Sequence, residues 1–271
     1  MKKVLTIAGS DCSGGAGIQA DLKTIMAHGM YGMSAITAVT VQNTTGVQQV
    51  CKLPPEVVEG QITAILQDIV PDAIKIGMLT DTATVNAVVA AIKGKIFCPL
   101  VIDTVMISTS GKRLLDEEAL SLYCQELLPL ATVITPNLPE LGALCEFYGC
   151  VGEALLSKEG MKEQEIIRQG KDLQQKLSTA ILVKGGHRDS SARDILFVED
   201  RQISYSGEKL SNPNTHGTGC TLSAAIACEL AAGQSIEVAV EWAKAYITAC
   251  IADGMNLGKG NGPLNHLAGM K

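Results

Sequence analysis

Residues 73–103 read AIKIGMLTDTATVNAVVAAIKGKIFCPLVID and contain one complete strand-helix-strand unit. Ala73–Ile76 and Leu100–Asp103 are short, largely apolar runs of the kind found in strands buried on both faces. Between them, Asp81–Ile92 repeats its apolar residues with helical periodicity. A helix that connects two buried strands is typical of parallel sheets. The stretch therefore predicts an α/β fold.

The same alternation continues on both sides of this unit. Further strands are predicted at Val4–Ala8, Ser34–Val41, Thr132–Ile134 and Ala180–Val183, and further helices at Glu56–Ile69, Asp116–Leu127, Glu163–Leu177, Thr218–Ala232 and Ile236–Asp253. Asp194–Val198 and Gln202–Tyr205 flank a short polar turn and predict an antiparallel hairpin at one edge of the sheet. No repeat or low-complexity linker interrupts the pattern. We therefore expect one domain over residues 1–271, with a mostly parallel central sheet and helices on both faces.

Composition excludes several classes of function. The net charge of -6 provides no broad basic field, so nucleic acid and anionic membrane surfaces are not expected partners. The apolar run near the N-terminus is too short for a signal sequence or a membrane span. The nine cysteines form no C-x-x-C pair, which disfavours a disulfide framework or a structural zinc site. These features predict a cytoplasmic protein that acts on a small molecule.

Ligands of open α/β sheets bind beyond the carboxyl ends of the strands, so the loops that follow the strands are the places to search. The first loop, Gly9–Gly17, overlaps a match to the dinucleotide fingerprint at Gly15–Ala20. We reject that match because it begins several residues after the strand and lacks an acidic residue about 20 positions later. We expect the loop amides to close around a small ligand, with Asp21, on the first turn of the next helix, positioned to accept a hydrogen bond. A glycine turn with Asp21 near a helix cap explains the same residues equally well.

Two other loops carry candidate metal ligands. Asp103 ends a strand and can hold a metal-bound water, and the polar stretch Ile107–Lys112 after it suits a mobile flap. Asn137 and Glu140 stand three residues apart at a predicted helix start, where an amide oxygen and a carboxylate on one face suit Mg²⁺ with its waters and phosphate oxygens. The same spacing is also a helix-capping arrangement.

The loop Asn214–Thr221 is the most informative of the four. Gly217 and Gly219 precede a helix of small residues, and the free amides at such a helix start form an anion site suited to a γ-phosphate. Cys220 lies in the first turn of that helix. We expect the helix dipole to lower the pKa of its thiol, so that the thiolate can accept a proton.

Seven segments together carry a resemblance to a known family. In order along the chain they are GSDCSGGAGIQADLKT (9–24), VQNTTGV (41–47), IKIGML (74–79), VIDTVM with TSGKRLL (101–115), ITPNLPEL (134–141), LVKGGH with DIL (182–196) and HGTGCTLSAAIA (216–227). The chain resembles the hydroxymethylpyrimidine and hydroxymethylpyrimidine-phosphate kinases of thiamine biosynthesis. The resemblance implies a ribokinase-like fold, usually dimeric. It also implies transfer of phosphate from ATP, with Mg²⁺, to the hydroxymethyl group of 4-amino-5-hydroxymethyl-2-methylpyrimidine and then to its monophosphate.

The resemblance also assigns roles to residues. It places Gly9, Asp21, Gln42, Met78 and Val105 around the pyrimidine. It assigns Mg²⁺ and its waters to Asp103, Asn137 and Glu140. It assigns the nucleotide to Lys184, Gly185, Gly186 and Thr218, and the anion hole and catalysis to Gly217, Gly219, Cys220 and Lys184. Thr104 departs from the family, which usually has proline there. We expect this change to loosen the loop without removing a ligand.

Three alternative functions remain to be weighed. A pyridoxal or pyridoxine kinase shares the fold and the Gly-Cys helix start, but Gln42 and Met78 disfavour it, since a primary amide complements the amino group and ring nitrogen of an aminopyrimidine. Sugar kinases of the superfamily have aspartate where Cys220 stands. A regulatory protein that binds nucleotide without turnover is disfavoured by the intact Asn137, Glu140, Gly219 and Cys220.

The assignment of Gln42 gives a prediction about substrate choice. Gln42→Leu would leave a donor and an acceptor of the bound pyrimidine unpaired, so kcat/KM for hydroxymethylpyrimidine should fall by about 10- to 10³-fold. Pyridoxine lacks that edge and should lose less. Both specificity constants and the melting temperature are measured on the purified variant. An unchanged ratio of the two constants would contradict the pyrimidine assignment.

Overall fold

The computed structural model describes residues 1–106, 114–150, 163–185, 191–208 and 210–269. Within those residues, the strands form one nine-stranded sheet in the order β3-β2-β1-β4-β5-β6-β7-β8-β9. The strands are β1 (Lys3–Asp11), β2 (Tyr31–Asn43), β3 (Gly46–Lys52), β4 (Ala73–Ile76), β5 (Leu100–Ile102), β6 (Val133–Ile134), β7 (Ala180–Val183), β8 (Ser191–Val198) and β9 (Arg201–Glu208).

The centre of the sheet is parallel, and its edges are antiparallel. Strands β2, β1, β4, β5, β6 and β7 all run in the same direction. The β8–β9 hairpin pairs antiparallel with β7, as the sequence predicts. Strand β3 forms the opposite edge, antiparallel to β2. The sequence analysis missed β3, because its residues are half-buried or exposed and therefore lack the apolar alternation of a core strand.

The helices cover both faces of the sheet. They are α1 (Gly17–Ala27), α2 (Pro55–Asp68), α3 (Thr82–Ile92), α4 (Glu117–Leu122), α5 (Leu138–Tyr148), α6 (Glu163–Leu177), α7 (Thr218–Ala231) and α8 (Ile236–Ala252). The core on one face includes buried residues of α2 to α6, and the core on the other includes those of α1, α7 and α8. Helix α7 is lined by small residues, so it packs closely enough to contact β1, β4 and β5.

Three boundaries differ from the sequence prediction in ways that affect the site. Strand β1 continues past Ala8 to Asp11, so Gly9 and Asp11 belong to the strand rather than to the loop after it. Strand β2 reaches Asn43, which places Gln42 within the strand. The predicted helix Asp116–Leu127 is α4 followed by one turn of π-helix.

None of the described helices is both long enough and apolar enough to cross a membrane.

Two helical glycines give a prediction about packing. An alanine methyl at Gly170 in α6 would lie 2.2 Å from the ring of Phe197, whereas at Gly60 in α2 it would meet nothing within 4 Å. Alanine favours helix over glycine by about 1 kcal/mol, and overpacking a core costs about 1–3 kcal/mol. Gly60→Ala should therefore stabilise the protein, and Gly170→Ala should destabilise it. Urea unfolding of both variants checks this, and a stabilised Gly170→Ala would contradict the packing of α6 on β8.

Candidate active site

A buried ion pair lies where the central strands end. Asp103, directly after β5, accepts a 2.7 Å bond from Lys184 Nζ at the end of β7 and a 3.1 Å bond from the Thr135 hydroxyl after β6. Burial acts to raise the pKa of Asp103, but the charges of Lys184 and Lys75 outweigh it and hold the pKa below its usual value. Asp103 is therefore a carboxylate at neutral pH, and a lysine lies beside it at the edge where ligands of this fold class bind.

The first turn of α7 lies directly against this pair. A methyl group added at Gly219 would lie 3.3 Å from Asp103 Oδ2 and 3.6 Å from Lys184 Nζ. Gly217 caps the helix with φ of 87°, a left-handed conformation that favours glycine, and its Cα packs on the carbonyl oxygen of Gly15. The structure thus brings Gly217, Gly219, Asp103 and Lys184 together at a helix N-terminus that suits an anion.

Asn137 and Glu140 form the capping box that the sequence left as an alternative. Asn137 Oδ1 accepts from the Glu140 backbone N–H at 2.9 Å, and Glu140 Oε2 accepts from the Asn137 backbone N–H at 2.8 Å. Burial and the nearby Asp103 raise the pKa of Glu140, whereas the charge of Lys184 opposes the rise. Lys184 therefore interacts electrostatically with both acidic candidates of the metal site.

Thr104 makes a contact that the sequence analysis did not foresee. Its side chain is buried, and its hydroxyl donates to Glu140 Oε2 at 3.0 Å. A threonine in place of proline thus adds a hydrogen bond to a carboxylate of the site, and the expected loosening of the loop stays a prediction.

Cys220 does not have the lowered pKa that we expected. Burial raises the pKa of its thiol to about 11, and Asp21 and Asp103 contribute to the rise. Lys75 and the backbone N–H of Gly17 act in the opposite direction. The prediction failed because desolvation and two carboxylates outweigh the helix N-terminus, and none of these can be read from residues near Cys220 in sequence. The free protein therefore holds Cys220 as a thiol at neutral pH.

Asp21 lies deeper than predicted. It is in the second turn of α1, fully buried, and its two carboxylate oxygens accept from Lys75 Nζ at 2.9 and 2.8 Å. The Thr6 hydroxyl donates to Asp21 as well. Burial opposes the charge on Lys75, but Asp21 outweighs it and raises the pKa of Lys75. Asp21 is therefore a buried partner of Lys75 that supports the site. The sequence analysis missed Lys75, although a lysine inside the four-residue buried strand Ala73–Ile76 was a visible signal.

The backbone N–H groups of the first loop bond to the side chain of Asp11, the last residue of β1. Asp11 accepts hydrogen bonds from the backbone N–H groups of Ser13, Gly15 and Ala16 and from His216 Nε2. The expectation that these amides close around a ligand is therefore wrong, because the Asp11 carboxylate already occupies them. Neither Asp11 nor His216 was singled out from the sequence, since the two residues lie far apart along the chain.

Apart from Asp21 in α1, the residues assigned to the pyrimidine lie in β1 and β2 and just after β4 and β5. Met78 packs on Gly9, where an added methyl would lie 2.4 Å from Met78 Cε. Gln42 Nε2 lies 3.3 Å from His216 Nε2. Val105 is half-buried, two residues after Asp103. Gln42 therefore approaches the α7 loop through His216.

Two of the remaining candidates, Gly185 and Thr218, form hydrogen bonds within the protein. The Gly185 N–H donates to Asp194 Oδ1 at 2.9 Å, and Asp194 pairs with Lys244. The Thr218 hydroxyl donates to the carbonyl of Thr215. Gly186 and the predicted flap Ile107–Lys112 lie outside the described residues.

Comparison with known proteins identifies the family. A family model described as phosphomethylpyrimidine kinase matches residues 11–265. A hydroxymethylpyrimidine/phosphomethylpyrimidine kinase of Haemophilus influenzae is 42% identical over 273 residues, which covers 99% of this chain and 97% of that protein. The chain belongs to the phosphomethylpyrimidine kinase family. The predicted family and the prediction of a kinase are thus confirmed.

Solved structures agree with this fold and also include the main alternative. A phosphomethylpyrimidine kinase of Clostridium difficile is 42% identical with a TM-score of 0.77, covering 92% of this chain and 98% of that one. A pyridoxal kinase of Staphylococcus aureus, in complex with AMP-PCP and pyridoxal, is 32% identical with a TM-score of 0.86, covering 99% and 94%. The ribokinase-like fold is therefore confirmed. Backbone similarity does not separate the two kinases, and the family membership implies ATP use.

The raised pKa of Cys220 gives a prediction about its reactivity. Only the thiolate reacts with iodoacetamide, so the alkylation rate of Cys220 should be low at pH 7 and rise about tenfold per pH unit toward pH 11. The exposed Cys12 and Cys51 should be labelled first at neutral pH. Peptide mass spectrometry follows each site separately, with Cys220→Ser as the control. A rate for Cys220 that levels off below pH 8 would contradict the raised pKa.

Proposed function

We propose that the protein phosphorylates the hydroxymethyl group of 4-amino-5-hydroxymethyl-2-methylpyrimidine and then its monophosphate, with ATP and Mg²⁺, in thiamine biosynthesis. The observation that supports this proposal is the position of Gly219, where an added methyl would lie within 4 Å of both Asp103 and Lys184 at the N-terminus of α7. A cation and a helix N-terminus at one point suit a phosphoryl group in transfer, because both stabilise negative charge on its oxygens. The family relatives named above support the pyrimidine as acceptor.

Positioning and charge account for most of the catalysis that we propose. The substrate hydroxyl oxygen forms a bond to the γ-phosphorus while the bond from that phosphorus to the bridging oxygen of ATP breaks, and ADP leaves. Lys184 and the backbone N–H groups of Gly217, Gly219 and Cys220 hold the transferred group. The hydroxyl proton passes to an oxygen of the transferred phosphoryl group, because the free protein holds Cys220 as a thiol, which is not a base.

The acidic residues fit a magnesium ion bound through water and nucleotide. The described residues contain no cluster of three or more His, Cys, Asp or Glu side chains arranged to hold a metal directly. Asp103 and Glu140 are nevertheless two carboxylates that both interact with the charge of Lys184, and Mg²⁺ usually keeps several waters and binds phosphate oxygens. We propose that Asp103, Asn137 and Glu140 hold those waters. The ion would neutralise charge on the β- and γ-phosphates.

Pyridoxal kinase is the second candidate function, because a pyridoxal kinase superposes well on the chain. Gln42 favours the pyrimidine, since its amide can pair with an amino group and a ring nitrogen at once. ADP release is measured side by side with hydroxymethylpyrimidine, its monophosphate, pyridoxal, pyridoxine and ribose. The proposal expects the two pyrimidines to have the highest kcat/KM. A higher kcat/KM for pyridoxal or pyridoxine would make pyridoxal kinase the better supported of the two candidate functions.

Three further properties stay predictions. We propose that residues 1–271 act as a single kinase domain, supported by the one sheet that includes strands from residue 3 to residue 208. The homodimer and the cytoplasmic location rest on the family resemblance and on the composition.

Glu140 gives a test that separates the metal role from the capping role. Glu140→Gln keeps an oxygen that can accept from Asn137 N–H and the Thr104 hydroxyl but removes the charge, whereas Glu140→Ala removes both and should lose about 1 kcal/mol of stability. Both variants should need about 10- to 100-fold more Mg²⁺ for half-maximal ADP release. Melting temperatures report the cap. A Glu140→Gln protein with the Mg²⁺ dependence of the wild type would remove Glu140 from the metal site.

A further inference from the structure

His216 connects two parts of the candidate site that no local sequence pattern links. Its Nε2 lies 2.8 Å from Asp11 Oδ2 and 3.3 Å from the amide of Gln42. The imidazole packs on Gly15, where an added methyl would lie 2.3 Å from Cδ2. Its backbone N–H donates to the Gly262 carbonyl at 3.1 Å. The ring is therefore held on several sides rather than free to rotate.

The partners of Asp11 decide which nitrogen of His216 carries a proton. Asp11 Oδ2 accepts from the backbone N–H groups of Gly15 and Ala16, and Oδ1 accepts from the N–H and hydroxyl of Ser13. Because a carboxylate surrounded by donors is an acceptor only, the atom that contacts it at 2.8 Å must be a donor. Nε2 of His216 is therefore N–H.

A donor at Nε2 fixes the orientation of the Gln42 amide. An N–H cannot accept a hydrogen bond, so the amide nitrogen of Gln42 gains nothing at 3.3 Å from it. A half-turn of the amide places Oε1 at that position, where it accepts a longer bond from the single Nε2 proton that Asp11 also accepts. The oxygen then faces His216, and the NH₂ group faces the other way. An amide has no such preference when its neighbour can both donate and accept.

We propose that the Asp11–His216 pair orients the Gln42 amide and thereby selects aminopyrimidines over their oxo analogues. This rests on the proposed function, in which Gln42 contacts the pyrimidine. In the fixed orientation, Oε1 keeps a second lone pair for the ligand amino group, and the NH₂ group donates to the ring nitrogen. The 4-oxo analogue presents a carbonyl oxygen and a ring N–H instead. Its carbonyl oxygen would face the acceptor Oε1 of Gln42, and its ring N–H would face the donor NH₂ group. His216 is thus a positioning residue for substrate choice.

Removing the donor should relax this selection. In His216→Leu the amide can turn to suit either ligand, and it must also be ordered on binding, which reduces affinity by about 10- to 30-fold. We expect kcat/KM for hydroxymethylpyrimidine to fall by at least about tenfold. The ratio of kcat/KM for the amino and 4-oxo compounds should fall by a similar factor. In His216→Gln the side-chain NH₂ can replace the Nε2 donor, so this ratio should stay near that of the wild type.

A second histidine, which contacts helix α7 from the C-terminal segment, provides the matched control. His266 is buried and contacts the Thr221 hydroxyl in the first turns of α7 at 3.0 Å, with no described contact to Gln42. His266→Leu should lower the melting temperature and leave the amino-to-oxo ratio unchanged. If His216 only supported the fold, His216→Leu would lower kcat/KM for the amino and the 4-oxo compounds by the same factor. That result would overturn the proposal.

One measurement does not depend on the variants folding. Nitrogen NMR of ¹⁵N-histidine-labelled wild type, with the His216→Gln spectrum to assign the signal, should show Nε2 of His216 protonated at neutral pH. An unprotonated Nε2 would overturn the proposal while leaving the proposed function untouched. Wild-type turnover of hydroxymethylpyrimidine is measured first. Its absence would refute the proposed function, and this proposal with it, whereas turnover with an unchanged ratio in His216→Leu refutes this proposal alone.

Discussion

The site is built over a buried ion pair between Lys75 in β4 and Asp21 in α1, both fully shielded from water. Removing one partner of such a pair leaves an uncompensated charge in the interior and costs about 3–5 kcal/mol, a large part of the stability of a typical domain. The pair therefore constrains how α1 sits on the sheet. The backbone N–H of Gly17 at the start of α1 donates a hydrogen bond to Cys220 in the first turn of α7. The position of that turn therefore depends on the ion pair between Lys75 and Asp21.

A second constraint is the competition for backbone amides. Asp11 takes the N–H groups of the first loop, and Glu140 takes that of Asn137, so these amides are bonded within the protein. The start of α7 differs, because a glycine without a capping side-chain bond precedes it. The start of α7, beside Asp103 and Lys184, is therefore the place where we propose that an anion binds.

The similarity to both vitamin kinases has a physical basis in this arrangement. In the arrangement that we propose, phosphoryl transfer uses the Asp103–Lys184 ion pair and the first turn of α7, and neither contacts the ring of the acceptor. The same proposal assigns the choice of ring to residues such as Gln42 and His216, which lie apart from Asp103 and Lys184 in sequence. A backbone comparison therefore measures the shared chemistry and cannot measure the choice of substrate.

The sequence by itself determined the βαβ alternation, the edge hairpin and the four loops that carry polar residues, because periodicity and helix-start patterns are local. It also singled out Asp103, Lys184 and Gly219, which the structure brings together. Only the tertiary structure determined the protonation states of the site residues and their hydrogen-bonding partners. The thiol pKa of Cys220, the burial of Asp21 against Lys75 and the contact of Asp11 with His216 all join residues distant in sequence. Desolvation and electrostatic interaction act through space, and sequence spacing carries no record of either.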